Sequence, residues 1–344
     1  MITRKDVAEK AGVSPSTVSF VMNNQCAAIA ISEKTRQRVL DVAEELGYRR
    51  NEVARSMATG KTRLIGFLAP SIETEFIGKI LQGSLDLAEE KHFSIKIVRI
   101  PPNAPPHALA RQWTESRLAG LICNSLDPVF LEAIHAELTR FNMPTVTVAN
   151  SFPQPGGMRI VSDDQQGIRL ATEHLAGLGH SKIAFISGAP GLPSEKCRSE
   201  GYLQAMKTLN LAVPSDFLKY GHWEKEQEED AARAMLSLPN RPTAIICASD
   251  LTAMAVFKVA RQLGLHVPRD LSVIGFGNMI ASQYTDPALT TIDQPFDEMG
   301  RTAMRCLLEQ IDSDKNPFSD QAPTRSLPTR LIIRDSTAPA RGKG

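Results

Sequence analysis

No stretch of this 344-residue chain stays apolar for the roughly 18 residues that a bilayer-crossing helix needs. The opening residues, MITRKDVAEKAG, lack the apolar segment of a leader peptide, so a cytoplasmic location with no membrane partner is expected. Cysteine is scarce: Cys26, Cys123, Cys197, Cys247 and Cys306 lie far apart and form no Cys-x-x-Cys pair, which argues against a zinc site or a disulfide framework. In a reducing compartment they read as small buried apolar residues. The chain also lacks a GxxxxGK phosphate loop, an HExxH helix and a GxSxG elbow. Gly275-Phe276-Gly277 begins like a dinucleotide fingerprint, but Ile280 stands where its third glycine belongs. The 7 histidines are scattered; His174 and His180, at one helix end, read as packing or capping groups. No catalytic residue, metal or cofactor is therefore expected, and a nicotinamide oxidoreductase rests on fold class alone. No internal repeat or low-complexity tract is found.

What is present is an ordinary globular composition, 42% hydrophobic and 22% charged, on a chain long enough for two or three domains. The net charge of +1 hides an asymmetry. Residues 1–63 hold 11 Lys and Arg against 7 Asp and Glu, and the remainder holds 28 against 31. A basic N-terminal segment on a slightly acidic body suggests a polyanionic partner for that segment.

From Leu64 onward, short β-branched runs alternate with helical stretches. LIGFLA (64–69), SIKIV (94–98), GLIC (120–123), TVTV (145–148), KIAFIS (182–187), TAIICA (243–248) and LSVIGF (271–276) read as buried parallel strands. Helices are expected near 76–91, 128–140, 166–177, 197–209, 225–237, 250–263 and 297–311. This repeated βαβ order gives an α/β fold. PQPGG at 153–157 suggests a break near 160 and hence two lobes, with a ligand cleft beyond the carboxyl ends of their strands. The tail from Ser336 is expected to be disordered.

Residues 1–63 contain no strand-like run and read as three short helices plus a fourth segment. Thr3 and Asp6 fit a capping box, Gly12 ends the first helix, Ser14 and Pro15 open the second, and Ser32 caps a third that reaches Gly47. The first two helices match a helix-turn-helix, with Val18 and Val21 facing inward beside Val7, Ala8 and Ala11. Ser16, Thr17, Ser19 and Phe20 then face out, where short hydroxyls suit phosphates and base edges. Helix spacing alone leaves a small structural bundle equally open.

DVAEKAGVSPSTVSFVMNN (6–24) and ISEKTRQRVLDVAEELGYRRNEVARSMATGKTRLIGFLAP (31–70) closely resemble the headpiece of the lactose/galactose repressor family. The resemblance continues through HLAGLGHSKIAFISG (174–188), EGYLQAM (200–206), RPTAIICASDLTAMAV (241–256), VPRDLSVIGFGN (267–278), PALTTIDQPFDEMG (287–300) and LPTRLIIRDST (327–337). It implies an all-α helix-turn-helix headpiece (1–48), a hinge helix and linker (49–63), and a two-lobed, periplasmic-binding-protein-like sensor and dimerisation domain (64–335). Lobe 1 would span about 64–160 and 294–325, lobe 2 about 161–293 and 326–335, and 336–344 would be the disordered tail. The function implied is a homodimeric repressor of a carbohydrate-utilisation operon on near-palindromic double-stranded DNA.

Carried over by position, DNA contacts are implied for Lys5, Ser14, Pro15, Ser16, Thr17, Ser19, Phe20, Asn23, Ser32 and Thr35. In the hinge, Asn51 and Ala54 would line the minor groove and Met57 would wedge into it. Phe20 departs from the Arg most common in the family, which can read guanine; Phe can only pack on a thymine methyl. The loop from Asn23 to Ser32 is longer than in the lactose repressor and similar to that of the fructose and sucrose repressors. For the effector, the resemblance implies Phe76, Arg198, Trp223, Ser249, Asp250, Asn278 and Gln294. Asp250 could instead cap its helix, and Trp223 could be a half-buried surface aromatic. Gly277 stands where the family commonly has Asp, and losing that carboxylate suggests a sugar acid or sugar phosphate rather than a neutral sugar. The absence of a long C-terminal heptad helix points to a dimer rather than a tetramer.

Overall fold

The computed structural model describes residues 2–22, 31–48, 62–100, 105–124, 128–149, 158–222, 224–313 and 323–341. The chain divides into two compact units, Met1–Thr62 and Arg63–Gly344.

The first unit has three described helices: α1 (Arg4–Ala11), α2 (Pro15–Met22) and α3 (Glu33–Glu45). The capping box is formed, with Asp6 accepting from the Thr3 N–H at 2.7 Å and the Asp6 N–H reaching Thr3 Oγ1. Gly12 closes α1 in the left-handed region at φ 62°, which a residue with a Cβ adopts only at a cost. Ser14 and Ser32 cap α2 and α3 by accepting from Thr17 N and Thr35 N. Val7, Ala8, Ala11, Val18, Val21, Val39 and Ala43 form the small core, so the inward stripe is the one read from spacing.

The second unit holds two six-stranded sheets. The first contains β1 (Leu64–Ala69), β2 (Ser94–Arg99), β3 (Gly120–Cys123), β4 (Thr145–Val148), β5 (Met158–Ser162) and β11 (Thr324–Leu327), in the order β11-β5-β4-β3-β1-β2. The second contains β6 (Ile183–Ser187), β7 (Leu218–Tyr220), β8 (Ala244–Cys247), β9 (Ser272–Phe276), β10 (Thr290–Asp293) and β12 (Arg330–Ile332), in the order β12-β10-β9-β8-β6-β7. All pairings are parallel except β10 with β12. Helices α4 (Glu75–Glu90), α5 (Pro106–Glu115), α6 (Pro128–Arg140) and α11 (Phe296–Asp312) pack on the first sheet. Helices α7 (Asp164–Gly177), α8 (Pro193–Thr208), α9 (Lys225–Leu236) and α10 (Asp250–Gln262) cover the second.

All seven expected strands are present, but β2 is not the buried strand expected: it lies at the edge of the first sheet with only Val98 buried and Ile97 exposed. The sequence reading omits β5, β7, β10, β11, β12 and α5, and it starts α8 four residues late. The omitted strands are short, and β10 and β11 carry threonines where a buried apolar run would have announced them. The chain crosses between sheets after β5, after β10 and after β11. These crossings hydrogen-bond to one another: Asp163 N–H donates to Leu327 O at 2.8 Å, Thr329 Oγ1 to Asp163 O at 3.0 Å, and Gln294 Nε2 to Ser162 Oγ at 2.7 Å.

The expected disordered tail is corrected for residues 336–341. Ser336 is fully buried; its hydroxyl accepts from Thr290 N at 2.8 Å and donates to Val273 O at 2.6 Å. Ala338 and Ala340 add backbone bonds to Ser272 Oγ and Leu178 O. Ser and Ala carry no apolar signal, yet the starts of the interior strands β9 and β10 offer buried polar groups that this segment satisfies. Cys123, Cys247 and Cys306 are buried and Cys197 is partly so, while Cys26 lies outside the described residues. Burial pushes the Cys123 thiol up to about 12.

Candidate functional site

On the first unit, α2 presents its outer face through Ser14, Pro15 and Ser16, all exposed, with Thr17, Ser19 and Phe20 half-buried beside them. The hydroxyls of Ser14, Ser16 and Thr17 bond among themselves at 2.7 and 2.9 Å, and Ser32 and Thr35 do so at 2.9 Å. A hydroxyl can donate and accept together, so these groups can turn toward a phosphate without first losing an ion pair. Helix α2 carries no acidic residue to repel a polyanion, and Lys5 is exposed on α1. Asn23 and the hinge residues Asn51, Ala54 and Met57 lie outside the described residues.

On the second unit, the described effector candidates sit at carboxyl ends of strands, where parallel α/β sheets expose their loops and helix N-termini. Two clusters form there. In one, Arg198, on α8, donates from Nε to Asp164 Oδ2 at 2.8 Å and from Nη1 to Ala248 O at 2.6 Å. Its guanidinium lies 4.0 Å from the ring centroid of Phe276, a cation–π stack. Gln294 reaches the same place, its Nε2 on Ser162 Oγ and, at 3.2 Å, on Asp164 Oδ1.

In the other cluster, Asp250 is fully buried and accepts from the Thr291 hydroxyl and from Met279 N at 2.6 Å. Burial raises its pKa, against the pull of those two bonds and of Arg334. Helix α10 is capped by Ser249, whose Oγ accepts from Thr252 N at 3.0 Å, so the cap proposed for Asp250 belongs to its neighbour. Asn278, in the left-handed region at φ 48°, accepts from Arg334 Nη2 at 2.6 Å and donates to Asp293 at 3.0 Å. Phe76 packs on Phe296 with centroids 5.6 Å apart and is half-buried. Trp223 lies outside the described residues.

The sequence reading misses several groups at this site. Asp164 is the counter-ion of Arg198. The signal for it was the Asp163-Asp164 doublet at a strand–helix junction: Asp163 caps α7 through Gln166 N at 2.9 Å, which leaves Asp164 for the cleft. Glu75 accepts Ile280 N on both oxygens at 3.0 and 2.9 Å, and Lys79 bonds Glu75 at 2.9 Å and Asn278 O at 3.2 Å. This bridge joins the two lobes and leaves no local sequence trace. Glu195, on α8, accepts from the Ser187 and Ser199 hydroxyls, and Glu228, on α9, from the Thr252 hydroxyl; both carboxylates are buried. Burial raises the pKa of Glu228 against the Thr252 bond. Among the described residues no group of three or more His, Cys, Asp or Glu is placed to hold a metal ion, and no helix is long and apolar enough to cross a membrane.

Residues 3–51 match the profile of bacterial regulatory proteins of the lacI family, and residues 172–337 match that of a periplasmic binding protein-like domain. The chain is 32% identical over 339 residues to the HTH-type transcriptional repressor PurR of Photobacterium profundum, covering 98% of each. It is also 32% identical over 341 residues to PurR of Escherichia coli, covering 98% of this chain and 97% of that one. Its structure is similar to the Lac repressor dimer bound to operator and the anti-inducer ONPF, with a TM-score of 0.79, 29% identity and 98% and 99% of the two chains covered. It is also similar to a LacI family regulator from Enterococcus faecium with bound ribose, with a TM-score of 0.68, 25% identity and coverage of 81% and 100%.

Proposed function

The chain belongs to the lacI family of bacterial regulatory proteins and is a DNA-binding transcriptional repressor rather than an enzyme, and from that premise we propose that a small sugar-derived effector, held between the two lobes of the second unit, controls its affinity for the operator. The observation that carries this reading is the convergence of Arg198, Asp164 and Gln294 on the crossing segments between the sheets. A ligand bonded there would touch both the wall of lobe 2 and the crossing segments that connect the lobes. It would therefore interact differently with any two arrangements of the lobes, which is what control of a second site requires. Among the similar solved structures, a Lac repressor is bound to the anti-inducer ONPF and the Enterococcus regulator to ribose. The target would be a carbohydrate-utilisation operon.

The protein would act as a homodimer in the cytoplasm. Two headpieces, residues 1–48, would read a near-palindromic operator through the outer face of α2, and the hinge at 49–63 would add Asn51, Ala54 and Met57 in the minor groove. The test is selection of bound duplexes from a random DNA pool, repeated with candidate sugars. We expect a near-palindromic sequence to be enriched, with its enrichment changed by at least one sugar. A selected site without two-fold symmetry would sink the dimer reading, and indifference to every sugar would sink the effector reading.

A further inference from the structure

Arg198 is the cation that an acidic effector would seek in this cleft, and the chain has already occupied it. Its Nε is bonded to Asp164 at 2.8 Å and its Nη1 to a backbone carbonyl, while both side chains of the ion pair are about nine-tenths buried. Ser162 and Gln294 hold Asp164 from its other oxygen, at 2.6 and 3.2 Å, so the carboxylate is fixed rather than free to swing away. At the same end of the second sheet lie Glu195 and Glu228, each more than nine-tenths buried and each bonded to hydroxyls rather than to a cation. Of the buried carboxylates at this end of the second sheet, Asp164 alone is bonded to the guanidinium, and Glu195 and Glu228 add two more acceptors without a cation. An anion entering beside Arg198 would lose its hydration and meet a guanidinium whose charge Asp164 already compensates.

We infer that Asp164 is a specificity-determining residue that makes the cleft select a neutral, hydroxyl-rich effector and reject its carboxylate and phosphate counterparts. This rests on the reading of the cleft as the effector site. It replaces the expectation of an acidic ligand drawn from Gly277, because the carboxylate absent there is supplied by Asp164 on Arg198 itself. The remaining donors of the guanidinium stay available to a sugar hydroxyl, and the carboxylates accept from others. That is the pattern a polyol satisfies and an anion does not.

The test is calorimetric titration of the full-length protein with matched probes: D-glucose against D-gluconate and glucose 6-phosphate, D-galactose against D-galacturonate, D-ribose against ribose 5-phosphate, and uracil against orotate. We expect binding of at least one neutral member, with its anionic partner weaker by on the order of tenfold or more. Asp164→Asn keeps an acceptor for Arg198 and removes the charge, so it should shrink that ratio or reverse it, with folding verified by circular dichroism. Tighter binding of an anion than of its neutral partner by the wild-type protein overturns the inference, and needs no variant. An unchanged ratio in folded Asp164→Asn also overturns it. Binding of uracil without orotate, and of no sugar, supports the charge selection while overturning the sugar reading. Silence from every probe overturns both.

Discussion

Phe20 and Asp270 show how much a single side chain commits. Phe20 is half-buried on the outer half of α2, and its ring can offer a base pair only apolar contact. Phe20→Arg is expected to shift the selected base facing that position toward guanine, by the roughly 1–3 kcal/mol of a bidentate contact. Sequencing of DNA selected by the two proteins checks this; identical motifs would remove Phe20 from the reading surface. Asp270 works on stability instead. The side chain of Arg269, then the His266 N–H and the charge of Arg341, hold its pKa well below the usual carboxylate range. A depressed carboxylate contributes stability that is present above its unfolded pKa, near 4 by ordinary values. That stability is lost as pH falls through the lower folded value. Asp270→Asn should therefore cost stability at pH 7, with the gap from wild type beginning to narrow below about pH 4 in urea titrations; a gap constant down to the lowest pH at which the protein stays folded would contradict the assignment.

At the scale of elements, the wall of lobe 1 depends on one close helix crossing. A Cβ on Gly83 of α4 would stand 1.8 Å from Asp297 O, and one on Gly300 of α11 would stand 1.9 Å from Ile80 O, so backbones touch there. Ser84 adds a bond to Gly300 O at 3.1 Å. The crossing sets Phe76, near the start of α4, against Phe296 at the start of α11. Gly300→Ala should force the helices apart and cost about 1–3 kcal/mol or more, as overpacking does, measured as a fall in the urea midpoint. No change in midpoint would mean that the backbones are not in contact. The C-terminal segment is a second such element. Ser336→Ala leaves the buried Thr290 N–H and Val273 carbonyl unpaired, and should cost about 1–3 kcal/mol. A neutral result would return the tail to the status the sequence first suggested.

The whole molecule is two units with separate cores, the headpiece core of Val7, Val18 and Val39 on one side and the sheet cores on the other. Residues 63–344 expressed alone are therefore expected to fold, to keep effector binding and to lose operator binding. Loss of the folded state on removing the first 62 residues would show that the units are not independent. In the intact protein, linkage requires that the factor by which an effector changes operator affinity equals the factor by which operator changes effector affinity. The sheet order decides which side chains can serve that coupling. The three crossings between sheets gather residues from positions near 163, 294 and 328, which no local pattern relates.

The sequence by itself determined the division into a basic headpiece, helical in its described residues, and an α/β body. It also set the caps of α1, α2 and α3, the inward stripe of the headpiece and the seven apolar strands. These features are local: a cap needs residues three apart, and a buried strand needs a run of β-branched residues. Only the tertiary structure decided that Arg198 is paired with Asp164, that Ser249 rather than Asp250 caps α10, that Glu75 reaches Ile280 across the lobes, and that Ser336 is buried. Each of these is a polar contact between elements distant in sequence or a choice between adjacent residues. Such contacts are fixed by where the sheets bring partners together, and a hydroxyl or carboxylate looks the same in the sequence whether it meets water or a buried cation.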